Sequence, residues 1–240
     1  MLHRAGSVSY PDRFTFVDRP DAPGLQRCFT DEVEVTVAVD RAAGIASIAR
    51  EDGGPVAYVS PGVAWIDAAA ATDGQLGGWI EVTEQDSSRL QTLLWQVVGP
   101  SAAAYVEKFQ LPESPGGTAS SASESATSIE LRSDGSVRAV IERLASSDVG
   151  DEADQDVELG FTVDFVLDEV GRVVSIVARP ASGPGITAAD GETFGYVVDY
   201  DWSNGVGIEV PDPAAVMPVG EVVDSIVVPV RSAFECSVGG

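Results

Sequence analysis

Hydrophobic and polar positions alternate with a period of two through most of this chain. The clearest run is residues 31–40, where Val33, Val35, Val37 and Val39 alternate with Glu32, Glu34, Thr36 and Ala38. Successive side chains on a strand point to opposite faces, so this pattern predicts a strand with one buried face. A second run holds Val157, Leu159, Phe161, Val163 and Phe165. It passes through Asp168-Glu169-Val170-Gly171 into the apolar stretch 172–178, which predicts a long hairpin. Phe194, Tyr196, Val198 and Tyr200 alternate in a further strand, and Ser203-Asn204-Gly205 turns the chain into another at 206–210. Shorter strands are expected at 43–50, 55–59, 63–67, 79–82, 129–131 and 137–144, separated by Gly- and Asp-rich turns. Residues 7–17, interrupted by Pro11, read as an edge strand or extended entry segment. Residues 68–77 read as a loop, and 216–230, broken by Pro218 and Pro229, as an extended tail.

The period changes once. Leu90, Leu93, Leu94, Val97 and Val98 fall at i, i+3, i+4, i+7 and i+8, one face of a helix. Thr83 and Asp86 form a weak capping pattern ahead of it, and Gly99-Pro100 ends it. Ser101 is placed to cap a second short helix, with Tyr105 and Phe109 four apart. Residues 112–128 are rich in Ser, Ala, Gly and Pro and read as a flexible loop. The helices come as a block and do not alternate with strands, which argues against a parallel α/β fold. The expected fold is mainly β (α+β): a curved antiparallel sheet or half-barrel covered by a short helical pair, in a single domain spanning 1–240.

Charge narrows the choice of partner. The chain has 38 acidic and 14 basic residues, a formal charge of −24. Such a surface repels phosphate backbones, so nucleic acid is not an expected partner. His3 is the only histidine and lies at a terminus, which leaves Ser-His-Asp and Cys-His mechanisms without a base and a His/Cys zinc site without its ligands. Neither GxGxxG nor GxxxxGK[ST] occurs. Asp151, Glu152, Asp154, Asp156 and Glu158 are a dense acidic run that lacks the spacing and glycine of an EF-hand loop, so a solvated loop is the simpler reading. A carboxylate pair for glycoside hydrolysis has no specific signal among so many acids. No catalytic residue, metal or cofactor is assigned.

Cys28 and Cys236 are the only cysteines. Paired, they would close a loop of about 210 residues and contribute roughly 5 kcal/mol in the chain-entropy model, which implies an oxidising compartment. The other reading is two unrelated buried thiols. The longest helical candidate, 90–98, is far short of the roughly 20 residues a membrane span needs. Residues 1–20 contain Arg4, Asp12, Arg13, Asp18 and Arg19 and are not a secretory signal.

Three stretches resemble the LolA/LppX-type lipoprotein-carrier superfamily. They are Tyr58 to Val82 with Gly78-Trp79, the hairpin Phe161 to Ala178 with Asp168, Gly171 and Arg172, and Phe194 to Pro211 with Tyr200, Trp202, Ile208 and Pro211. The likeness spans about residues 30–215; a lipobox and the N-terminal helix of that group are missing. The resemblance implies a half-barrel that holds an apolar ligand, in an extracytoplasmic carrier. Its cavity would be walled by Val35, Val37, Leu93, Leu94, Val97, Phe161, Val163 and Phe165. Each CH₂ of a buried acyl chain is worth about 0.8 kcal/mol, so such a ligand binds without a catalytic group. The same residues serve equally in a dry core. The alternatives are therefore an envelope interaction or sensor domain with a filled core and an acidic docking surface for a protein partner, or a carboxylate-dependent hydrolase.

Overall fold

The computed structural model describes residues 9–20, 34–51, 53–86, 89, 90, 93, 94, 97, 98, 109, 111, 126–145, 157–180, 196–203, 205, 207–222, 225 and 226. The strands among them are β1 (Arg13–Pro20), β2 (Val35–Asp40), β3 (Ile45–Arg50), β4 (Pro55–Ser60), β5 (Val63–Asp67), β6 (Trp79–Thr83), β7 (Ser128–Leu131), β8 (Val137–Ala145), β9 (Val157–Leu167), β10 (Val173–Pro180), β11 (Tyr196–Asp201) and β12 (Val216–Pro218). The mainly β, α+β architecture implied by the alternation is present. Every pairing described below is antiparallel except one.

The chain divides into two compact units, each assembled from separate stretches of sequence. One takes Pro11–Arg19, Gly24–Pro112 and Asp201–Gly240; the other takes Met1–Tyr10, Pro20–Pro23 and Glu113–Tyr200.

In the first unit β1 to β6 pair in sequence order, each with the next. The register stacks one apolar face across them. Phe16 lies opposite Val37, which lies opposite Ile48, then Ala57, Ile66 and Ile80. All six are buried. Residues of this kind dominate because β-branched and aromatic side chains fill a pleated surface well. Positions 89, 90, 93, 94, 97 and 98 are helical, and Leu90, Leu93, Leu94, Val97 and Val98 are all buried. The 3.6-residue stripe is thus the inward face of the expected helix. Of the second expected helix only Phe109 is described, in a buried 3-10 turn.

Polar side chains tie the turns. Asp40 Oδ1 accepts from Ala43 N–H at 3.0 Å, while Oδ2 meets Arg13 Nε at 2.7 Å. Arg41 lies over the Phe14 ring, which also packs on Trp202. The expected loop at 68–77 begins instead with a short helix, Ala68–Ala71. Asp67 caps it by accepting from Ala69 N–H, and four alanines carry no side-chain entropy penalty against helix. Two further expectations are corrected near the C-terminal end. The described positions 207–210 are not a strand. Gly205 there lies close against Arg13, with 3.1 Å between an added Cβ and Arg13 Cβ. The tail expected at 216–230 forms β12 and then turns into a short helix, Val219–Val222.

β12 is the parallel exception. Val216, Met217 and Pro218 lie opposite Trp79, Ile80 and Glu81 of β6. Gly78 admits this neighbour. It has φ +88°, and a Cβ there would stand 2.5 Å from the Ala215 carbonyl oxygen. Gly44 also has a positive φ, +69°, yet nothing lies within 4 Å of its added Cβ. The two glycines separate backbone strain from backbone clash. Gly44→Ala should cost about 1–2 kcal/mol in urea unfolding, the left-handed penalty alone. Gly78→Ala should cost more, because the β12 backbone must also retreat. Equal losses would show that the close approach of β12 to Gly78 contributes nothing.

Candidate functional site: an open strand edge

The eight positions expected to wall an apolar cavity are distributed over the two units. Val35 and Val37 on β2, with Leu93, Leu94 and Val97 on the helix, belong to the first and are buried. Val163 and Phe165 on β9 belong to the second and are buried. Phe161 lies on β9 opposite Ile141 and Pro180; its side chain is outside the described part. Cys28, Cys236, His3, residues 151–156 and all of the 112–128 loop but its last three positions are outside the described residues. Among the described residues no group of three or more His, Cys, Asp or Glu could hold a metal, and no helix is long and apolar enough to cross a membrane.

The second unit presents a different candidate. β7 to β11 pair in sequence order, β7 with β8 and onward to β11. Two of the hairpins are built alike. Arg132 N–H donates to the Ser136 carbonyl and Gly135 N–H to that of Arg132; Asp168 and Gly171 repeat both bonds with Arg172 and Asp168. Gly135 and Gly171 take φ of 85° and 84°, which a tight three-residue turn requires. A carboxylate ties each turn. Asp134 Oδ1 accepts from the Ser136 backbone and hydroxyl, and Asp168 Oδ1 accepts from Val170 and Arg172 N–H. The Ser136 bonds hold the Asp134 carboxyl below its ordinary range. At Asp168 desolvation pushes upward, but the bonds from Arg172 and Val170 prevail and the net shift is downward.

Apolar rows run across this unit. Leu131 lies opposite Val137, then Phe165, Ile176 and Val198; Ile129 lies opposite Ala139, then Val163 and Ala178. Phe165, Ile176, Val198, Ala139, Val163 and Ala178 are buried. At β7 the rows emerge: Ile129 is 57% and Leu131 74% exposed. β7 ends the strand order, and no described strand pairs with its other edge.

The hydrogen-bond pattern sharpens that edge. Because Arg132 and Ser136 form a bonded pair, the antiparallel alternation makes Glu130/Arg138 and Ser128/Val140 bonded pairs too. The amides and carbonyls of Ile129 and Leu131 then point away from β8, towards the open edge. The two residues with exposed apolar side chains are also the two with outward backbone groups.

The opposite face of the same strands is charged. Glu130 on β7 lies opposite Arg138 on β8, which lies opposite Asp164 on β9. Arg138 donates from Nε to Asp164 Oδ1 at 2.6 Å and from Nη2 to Oδ2 at 2.5 Å, a two-pronged pair. Arg132 Nη1 stands 4.0 Å from Asp164 Oδ2. The Arg138 hydrogen bonds hold the Asp164 carboxyl below its ordinary range, and they raise Arg138 in turn.

The sequence pattern marks Ile129 and Leu131 only as part of a strand and gives Glu130, Arg138 and Asp164 no role, while Val163 and Phe165 enter it as expected cavity residues. The available signal was weak: Ile129 and Leu131 alternate with Ser128 and Glu130 directly after a low-complexity stretch. No protein-family model matches the chain, and no curated protein sequence matches it.

The lowered Asp164 makes a pH prediction. Its ion pair stabilises the fold fully above the unfolded carboxylate range, near pH 4, and that contribution is lost as pH falls through the lower folded-state value. Urea midpoints measured between about pH 7 and pH 2 should show wild type well above Asp164→Asn at neutral pH, with the gap closing in acid. Arg138→Ala should cost about 1–3 kcal/mol at neutral pH, since it leaves a mostly buried carboxylate without its main donor. A gap independent of pH would contradict the ion-pair account.

Proposed function

We propose that this protein is an interaction module that takes up an extended segment of a partner protein along the open edge of β7. One observation carries the reading: Ile129 and Leu131 combine exposed apolar side chains with outward backbone groups on the outermost described strand. A peptide added to such an edge gains main-chain hydrogen bonds and places alternate side chains against the exposed ends of the apolar rows. This is binding without chemistry, and it needs neither histidine nor cofactor.

The carrier reading uses residues that are buried in the two units, Val35, Val37, Leu93, Leu94 and Val97 in one and Val163 and Phe165 in the other. Its test is direct. Organic extraction and mass spectrometry of the purified protein should release no stoichiometric lipid; one lipid per chain would restore the apolar-ligand function to first place.

Leu131→Pro tests the edge itself. Its amide faces outward, so proline there removes no β7–β8 bond, yet it deletes a donor that an added strand needs. Partner proteins retained by the immobilised wild type should be retained about tenfold less by Leu131→Pro, a change of about 1.4 kcal/mol. Leu131→Lys serves as a second variant that leaves the backbone donor in place. The same proteins retained equally by all three would overturn the reading.

A further inference from the structure

We infer that the segment taken up by β7 carries a basic residue between two apolar ones, so that the partner is a cationic extended strand; this rests on the edge-binding reading above. Asp164, Arg138 and Glu130 follow one another across β9, β8 and β7, negative, positive, negative. Glu130 is exposed at the outer end of that row. Directly opposite side chains on neighbouring strands interact, and opposite charges there are favoured by roughly 0.2–1 kcal/mol. The next position outward, on an added strand, continues the alternation with Lys or Arg.

The pleat dictates the flanking residues. On the added strand the positions opposite Ile129 and Leu131 pair through backbone bonds, and their side chains fall on the apolar face. They cover the two exposed side chains. The position between them falls on the Glu130 face. The minimal element is therefore apolar–basic–apolar. The overall charge of −24 favours the same partner, because it draws a cationic segment towards the surface from solution.

A second copy of this chain fits poorly. The two-fold register that sets both Ile129 and Leu131 against apolar residues puts Ile129 opposite Leu131 and Glu130 opposite Glu130. Like charges directly opposite are destabilising, and two bodies of charge −24 repel at long range.

The experiment uses the full chain and three fluorescein-labelled, end-capped six-residue peptides that alternate Val with Lys, Ser or Glu. Binding is followed by anisotropy at about 0.15 M salt, where charges beyond about 8 Å are largely screened. The Val-Lys peptide should bind wild type at least about tenfold more tightly than Val-Glu, with Val-Ser between. Glu130→Lys should reverse that order. Leu131→Pro should weaken Val-Lys about tenfold without a change in circular dichroism. If the proline variant does not fold, the charge reversal at Glu130 still decides.

The ways of failing are distinct. Equal binding of all three peptides, lost in Leu131→Pro, would overturn the cationic partner and leave the edge reading intact. A preference for Val-Lys that survives both Leu131→Pro and Glu130→Lys would show general attraction to an acidic surface and overturn both. Concentration-dependent dimers abolished by Leu131→Pro would make the occupant a second copy and overturn the cationic partner.

Discussion

In an antiparallel ladder every second residue of a strand turns its amide and carbonyl away from the neighbour it is paired with. An inner strand meets a second neighbour there; an outermost strand does not. Everything distinctive about the β7–β11 sheet follows from β7 occupying that position among the described strands. Its two outward residues, Ile129 and Leu131, are also the ends of apolar rows whose inner members are buried. Folding brings those rows together without covering their last members.

The unit that holds β1 to β6 treats the edge at β6 differently. β6 would otherwise end the order, and β12 lies parallel alongside it, admitted by Gly78. β12 itself is only three residues long and includes Pro218. Short strands and proline are the usual devices that discourage further pairing. β7 has no proline, and its one charge, Glu130, selects against a like-charged partner while favouring an oppositely charged one. The acidic composition is partly structural as well. Asp40, Asp67, Asp134, Asp168, Asp201 and Asp212 each accept a backbone N–H in a turn or cap. Short carboxylates mimic a backbone turn, so an Asp-rich sequence with many hairpins is internally consistent.

Much of this architecture is legible in the sequence, because period-two alternation reports directly which side chains share a face. Val35, Val37 and Val39 are buried as their spacing implies, and the 168–171 turn joins two strands as its residues imply. The helical stripe at 90–98 is equally plain. What alternation does not contain is strand order. Nothing in Ser-Ile-Glu-Leu at 128–131 distinguishes an outermost strand from an inner one, so the exposure of Ile129 and Leu131 emerges only once neighbours are assigned. The local errors have local causes. Asp67 capping outweighed the loop-like look of 68–77, and the apolar side chains of Ile208 and Val210 did not make a strand of the described positions 207–210. The expected cavity residues share only apolarity, which marks a core as readily as a binding site.

Amide hydrogen exchange in β7 tests the open edge most directly. The alternation assigns outward amides to Ile129 and Leu131 and bonded amides to Glu130 and Arg132. Residue-resolved exchange should therefore be fast at Ile129 and Leu131 and slow at Glu130 and Arg132. Equal protection at all four would mean that the outer edge of β7 is already occupied, and would contradict the account.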